Sequence, residues 1–345
     1  MHCHVSPPDD ATDVSRDLEE TLKLARSEKL DFVVLTPHVW SRFFMDQGLR
    51  RAVTDGQARL RADIAKLAPP DVVFIQGFEY TDHRYGHVGA SFADIDTVLA
   101  EVPLEDAQTH PAHFFEKWVA HGGMLVVNHP FVTPLDSFIR IARADLSWRP
   151  FTAQGPFPAE VEAIDRIAQG FEVYNVSATD LRDRFLVGES DHTLKETFAA
   201  LDQRIPVGHR RMTPVGGSDS HGHHLQATTF VLSEARTPSA IHDAIVAGRV
   251  CVRDGGACSF EARSAGTDEW TPIGGVIEKS GAIEVRAHGE SIDIIVNGKV
   301  VASPASDTVA RVDLSGDQCS VVRARVGSGY SGPIYVHCGV TTRPI

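Results

Sequence analysis

The sequence predicts an α/β protein: parallel strands covered by helices, open or closed into a barrel, followed by a small antiparallel β-sandwich. Three observations carry the prediction. Over the first two thirds, short apolar runs alternate with helix-like stretches, the rhythm of βαβ units. Histidines and carboxylates gather where the apolar runs end, the edge at which such sheets build their sites. Beyond about residue 258 the pattern switches to apolar–polar alternation, as in strands with one face in water.

Each element has its own signal. Asp13 is placed to cap a helix through Leu18, Leu22 and Ala25, since a carboxylate there accepts from first-turn amides. Phe32-Val33-Val34-Leu35 reads as a buried strand ending at Thr36-Pro37-His38. A charged helix over roughly 50–67 leads to Val72-Val73-Phe74-Ile75, a strand closed by Gly77-Phe78-Glu79. His87 follows in the short segment Gly86 to Phe92. A helix near 110–121 passes through Gly122-Gly123 into Met124-Leu125-Val126-Val127, ending at Asn128-His129-Pro130. Pro134 to Pro158 reads as a long loop or lid. Phe171 to Asn175 is a further strand, and a helix near 192–203 precedes Ile205-Pro206-Val207-Gly208. Val215-Gly216-Gly217 leads to Ser218-Asp219-Ser220-His221; Thr228 to Leu232 and a helix from about Pro238 to Ala247 close the series. In the tail, Ile283, Val285 and Ala287 alternate with polar residues, and Asn297-Gly298 marks a tight hairpin. Val322, Ala324 and Val326 alternate in turn, and Ile334-Tyr335-Val336 is a last strand. The division expected is 1–258 for the α/β unit and 259–345 for the sandwich.

Composition narrows the function classes. The chain has 345 residues, 42% hydrophobic and 23% charged, ordinary for a soluble globular protein. No apolar run approaches the roughly 18 residues of a membrane span. A net charge of −13 repels phosphodiester polymers. The expected partner is therefore a small molecule, with no nucleic acid and no membrane; homo-oligomerisation is left open. Five cysteines are odd in number and form no CxxC pair, so they read as mostly reduced or buried rather than as a disulfide framework. Cys3 should point to the strand face opposite His2 and His4. No signal peptide is visible. The chain as it stands reads as cytoplasmic, and a missing upstream leader would make it exported. Upstream residues are also what the strand carrying His2 and His4 would need.

Chemistry is concentrated in a few motifs. In His2-Cys3-His4, residues i and i+2 of a strand face one way, so both imidazoles can grip one metal. With 17 histidines, about one such pair arises by chance, so the motif alone is weak. Ser218-Asp219-Ser220-His221 repeats the geometry with a carboxylate after a Gly-Gly. His38 and His129 each end an apolar strand, where a lone histidine is more often a hydrogen-bonded core residue. Glu79 would be costly to bury without a metal or cation beside it. Together six segments bring His, Asp or Glu to one sheet edge. That mixed N/O set suits divalent metals, and its ligands are too many for one ion.

The order HxH, an Asp a few residues on, a strand ending in His, Gly-x-Glu, Gly-His, Asn-His-Pro and Ser-Asp-x-His resembles the polymerase-and-histidinol-phosphatase (PHP) family over roughly residues 2–258. Ala240 to Val252 and Gly332-Pro333-Ile334-Tyr335-Val336 resemble its carbaryl-hydrolase-like branch. The resemblance implies a distorted (βα)7 barrel with a trinuclear site. Carried over by motif, one metal would be held by His2, His4, Glu79 and Asp219. Glu79 would bridge to a second held by His87 and His129, and a third would take Asp9, His38 and His221. Asp10 rivals Asp9. Thr36-Pro37-His38 departs from the family's Thr-Asp-His, which removes an acceptor beside His38.

The function expected is hydrolysis of a small phosphate mono- or diester through a metal-bound hydroxide, with two or three Zn, Mn or Fe ions. Glu79, Asp219 and His221 would be catalytic, and Arg84 and His223 would contact substrate. A carbamate, ester or amide hydrolase is the alternative, and a metal-binding barrel without turnover is a second. No GxSxG elbow and no phosphate-binding P-loop is present, so those rival designs lack their parts.

Overall fold

The computed structural model describes residues 1–131, 147–177, 192–208, 210–222, 224–226, 228–278, 281–314 and 318–340. His223 and residues 134–146 of the expected lid lie outside them.

The fold is a mixed α/β one built on a curled sheet. Its strands are β1 (Phe32–Leu35), β2 (His38–Trp40), β3 (Val73–Asp82), β4 (Gly86–Ser91), β5 (Met124–Asn128), β6 (Gly170–Asn175) and β7 (Thr213–Gly217). They run in the order β1-β3-β4-β5-β6-β7, with β2 also on β3. The pairs β1–β3, β2–β3, β5–β6 and β6–β7 are parallel. β4 departs from the expected parallel rhythm: it is antiparallel to both β3 and β5. Residues 83–85 are all that join β3 to β4, and so short a turn permits only a hairpin.

Helices cover the sheet through apolar stripes. Helix α1 (Leu18–Ser27) buries Leu18, Thr21, Leu22 and Ala25. Its cap is Asp17, in a reciprocal capping box with Glu20, and not the expected Asp13. Helix α2 (Gln47–Leu67) is capped by Asp46. The helix Pro111–Ala120 buries Phe114, Phe115 and Trp118, which pack with Phe78 and Phe44. The helix His192–Gly208 runs through Pro206, beyond its expected end. No described helix is long and apolar enough to cross a membrane.

Residues 2–4 lie between the ends of β1 and β7. The His2 carbonyl accepts from the amides of Ser218 (3.2 Å) and Asp219 (2.9 Å), His4 N–H donates to Ser220 O (3.2 Å), and Thr36 N–H donates to Cys3 O (2.7 Å). Arg16, buried, ties this junction together. Its guanidinium donates to the His4 and Ser220 carbonyls (3.1 and 3.2 Å), to Ser220 Oγ (3.1 Å) and to Gly222 O.

The tail forms two further sheets around one core. A four-stranded sheet runs β11-β10-β13-β16, from Thr271–Pro272, Glu261–Ser264, Ala282–Arg286 and Ala310–Asp313. An eight-stranded sheet joins β8 (Thr229–Val231) and β9 (Val250–Val252) to β12 (Val276–Ile277), β14 (Ile292–Val296), β15 (Lys299–Ala302), β17 (Ser320–Val326), β18 (Gly329–Ser331) and β19 (Ile334–Val336). Phe260, Ile273, Ile283, Val285, Ile294, Val322, Ile334 and Val336 form the shared core. β14 and β15 are joined at Asn297-Gly298, both with positive φ (48° and 79°), as the tight hairpin turn requires. The pair β12–β19 is parallel, an exception to the antiparallel expectation.

The cysteines correct the reduced-thiol reading. Cys251 is disulfide-bonded to Cys258 and Cys319 to Cys338. Separations of 7 and 19 residues carry no motif; only the antiparallel pairing of β17 with β19 brings Cys319 beside Cys338. Cys3 alone is free and buried, its Sγ 3.1 Å from an Arg16 guanidinium nitrogen, away from the imidazoles beside it in sequence.

Candidate metal centre

The centre is built around one carboxylate. Register places His38 opposite Glu79 across β2–β3, and Gly89 opposite Glu79 across β3–β4, with His87 two residues further along. The Glu79 side chain is 1% exposed. Its Oε1 lies 3.2 Å from His2 Nε2, 3.2 Å from His87 Nδ1 and 3.6 Å from His129 Nε2, and it accepts from Asn128 Nδ2 at 2.8 Å. Its Oε2 lies 3.6 Å from His38 Nε2 and 3.7 Å from His4 Nε2. Five imidazoles thus face one buried carboxylate.

The loops after β5 and β7 supply the far wall. His129 and Asp219 both adopt left-handed backbone, with φ of 28° and 49°. Such conformations cost non-glycine residues about 1–3 kcal/mol and recur at functional sites. Asp219 Oδ1 sits 3.2 Å from His4 Nε2 and 3.4 Å from His2 Nε2. His221, the most open of the histidines here with a third of its side chain exposed, turns Nδ1 toward Asp219 O at 3.0 Å.

A second layer of carboxylates orients the rings. Glu172 Oε1 faces His2 Nδ1 at 3.2 Å, while its Oε2 accepts from the His129 amide (2.7 Å) and Asn175 Nδ2 (2.9 Å). Asn175 also donates to Asp219 Oδ2 at 3.2 Å. Gly217 makes room for this: a Cβ there would lie 1.8 Å from Glu172 Oε1 and 2.5 Å from His2 Cβ. Asp9 accepts from the His38 amide (2.7 Å) and meets His38 Nδ1 (3.0 Å) with Oδ1, and meets His4 Nδ1 (3.2 Å) with Oδ2. Asp9 thus supplies the acceptor beside His38 that Pro37 cannot. Its rival Asp10 is exposed and bonds Thr12 instead.

Among the described residues three donor groups result, each with ligand atoms within 4.8 Å of one another: His2/His4/Glu79, Glu79/His87/His129 and His4/His38/His221. Asp219 adjoins the first. Asp9 stands behind the third, on the ring nitrogens turned away from Glu79. Two buried ring nitrogens of this cluster, His87 Nε2 and His129 Nδ1, have no hydrogen-bond partner among the described residues. Buried polar atoms are seldom left so, and with three donor groups, two of them sharing Glu79, the set fits divalent cations.

Electrostatics follow from crowding. Burial by itself would raise the Glu79 pKa, but the charges of His87 and His2 hold it well below the usual carboxylate range. Burial would likewise raise Asp9, and hydrogen bonds with His38 and His4 bring it down to about 2. For His4 burial opposes protonation, yet bonds to Asp219 and Asp9 push its pKa up to about 9. Burial lowers that of His87.

Of the residues expected to touch substrate, Arg84 is exposed and lays its guanidinium over the Tyr85 ring, 5.2 Å from its centre, rather than into the cluster. Sequence reasoning missed Asn128, Arg16 and Trp40. Asn128 precedes an already suspected ligand, which was its one signal. Arg16 and Trp40 had none.

No protein-family model matches the chain, and no curated protein does. Among solved structures, PsfC from Pseudomonas syringae is similar at 17% identity and a TM-score of 0.34, over 64% of this chain and 75% of that one. A protein from Bifidobacterium adolescentis, described as a candidate metal-dependent phosphoesterase, is similar at 15% identity and a TM-score of 0.31, over 64% and 86%. Likenesses this distant carry no argument about activity.

Proposed function

We propose that this protein is a metal-dependent hydrolase that cleaves a small phosphate mono- or diester. The observation that carries the reading is Glu79, a buried carboxylate whose two oxygens face the imidazoles of His2, His4, His38, His87 and His129. Such a set has more donors than one ion can use and suits two or three Zn, Mn or Fe ions. His2, His4, Glu79 and Asp219 would hold one, Glu79, His87 and His129 a second, and His38 and His221, with Asp9 at His38, a third. When bound, these ions supply Lewis acidity and lower the pKa of a coordinated water.

The chain's own residues do the rest. Glu172 and Asp9 fix the rings of His2, His4 and His38, holding the donors in place before substrate arrives. Asp219, 18% exposed, is the carboxylate at the open side and takes the proton of the attacking water at Oδ2. His221, also on the open side, keeps Nδ1 on the Asp219 carbonyl and leaves Nε2 for the third ion, so the proton taken up by Asp219 is the one passed on to the leaving oxygen. We read the curled sheet with residues 2–4 as a distorted (βα)7 barrel of the PHP type, and residues 259–345 as a cover without catalytic groups.

The test is elemental analysis of protein purified without chelator, with assays on p-nitrophenyl phosphate, bis-p-nitrophenyl phosphate and 1-naphthyl methylcarbamate. Two or three ions per chain with phosphate-ester turnover are expected. Turnover of the carbamate alone would move the bond to the carbonyl class. No metal uptake and no turnover after adding Mn²⁺ or Zn²⁺ would overturn the hydrolase reading.

A further inference from the structure

Beside the metal centre, on the His38 side, lies a cavity of about 680 Å³. One wall is apolar, with Phe43, Leu49 and Val53 from the turn after β2 and from α2, and Trp40 beside His38. Trp40 is 46% exposed, unusual for so large a ring, and lies 6.1 Å from His38 and 5.0 Å from His83 between ring centres. Three carboxylates, Asp9, Asp10 and Asp13, line the cavity against one guanidinium, Arg42. Asp9 is spent on His38 and His4; Asp10 and Asp13 are exposed, Asp10 accepting from Thr12 and Asp13 lying 3.8 Å from His38 Nδ1 and 4.0 Å from His221 Nε2.

These features select by charge and by polarity together. Away from the His38 wall and the ions behind it, an anionic substituent entering here would meet Asp10 and Asp13 against Arg42 alone. An apolar group would bury surface against Phe43, Leu49 and Val53. The open face of Trp40 would attract a cation through its ring quadrupole. We propose that this cavity is the subsite for the part of the substrate beyond the scissile bond, and that it takes an apolar group bearing no negative charge, best a cationic one. Substrates with a second anionic group, such as a further phosphate or a carboxylate, are then disfavoured. The assignment of the scissile bond rests on the phosphoesterase reading; the selectivity of the cavity does not.

Calorimetric titration of the metal-loaded full chain tests both separately. The probes are methylphosphonate, phenylphosphonate, 3-phosphonopropionate and, with no phosphorus at all, benzyltrimethylammonium. Phenylphosphonate is expected to bind at least about tenfold more tightly than methylphosphonate, and 3-phosphonopropionate no more tightly than methylphosphonate. Benzyltrimethylammonium should bind alone and compete with phenylphosphonate. Val53→Trp, which fills the cavity, should erase the phenyl advantage, and Asp10→Lys, at an exposed position, should weaken the cation and favour the carboxylate probe. Equal affinity for phenyl and methyl probes, tightest binding of 3-phosphonopropionate, or no binding of the cation would each overturn the proposal. Binding of the cation, sensitive to both substitutions, with no phosphonate bound would sustain the cavity and remove the phosphoesterase reading instead.

Discussion

Glu79 shows how much one residue can depend on others far away in sequence. A carboxylate 1% exposed is tolerable only because cations or donors surround it, and here they come from residues 2, 4, 38, 87, 128 and 129. Glu79→Gln and Asp219→Asn are each expected to lower kcat on p-nitrophenyl phosphate at least about a hundredfold with the far-UV dichroism unchanged; near-native rates would remove these residues from the centre. Gly217→Ala is expected to destabilise by about 1–3 kcal/mol, because the added methyl would collide with Glu172 and His2. The readouts are the urea midpoint and the metal content, and unchanged values for both would show the loop to be slack. His2 and His4 were legible in the sequence from i, i+2 spacing. For Glu172 and Asn175 the sequence left open whether they line the pocket or pack, since three residues apart on a regular strand they would face opposite ways. The register shift between Glu172 and Tyr174 breaks that alternation, and both side chains reach the same site.

Elements were legible wherever local signals were strong. β1, α2, β5 and the Asn297-Gly298 hairpin follow from apolar runs and turn chemistry. The direction of β4 did not, because periodicity reports which face is buried and not which way a strand runs. Its antiparallel run is what sets His87 across from Asn128, against Glu79. The disulfides belong to this scale too. Protein denatured without reductant is expected to react with a thiol reagent at one cysteine, Cys3, and at all five after reduction. Five reactive thiols from freshly purified, unreduced protein would contradict the two bonds.

For the whole molecule, protons and metal compete for the same atoms. The metal-free chain holds a proton on His4 at neutral pH, since that pKa stands near 9. Metal binding at pH 7 should therefore release protons, measurable as a buffer-dependent heat in calorimetry; a heat independent of buffer would refute it. The sign for stability follows from the same shift. A folded pKa raised from 6.5 to about 9 gives stability fully present below pH 6.5 and lost as pH rises through 9. Metal-free protein should thus lose Tm between pH 6.5 and 9.5, and the metal-loaded form, with the metal in place of the proton, should not. A parallel fall in both forms would assign the alkaline loss to other groups.

The sequence by itself determined the α/β class, most strand and helix positions, the β-rich tail and the residues suspected as ligands, because hydrophobic period and strand-end chemistry are local properties. It took packing to bring His2, His4, His38, His87 and His129 onto Glu79, to turn Asp9 rather than Asp10 inward, to make Asp17 the cap of α1, and to pair four of the five cysteines. Each of these depends on distances between segments remote in the chain. Local pattern fixes which face a side chain takes on its own element, and packing alone fixes what that face meets.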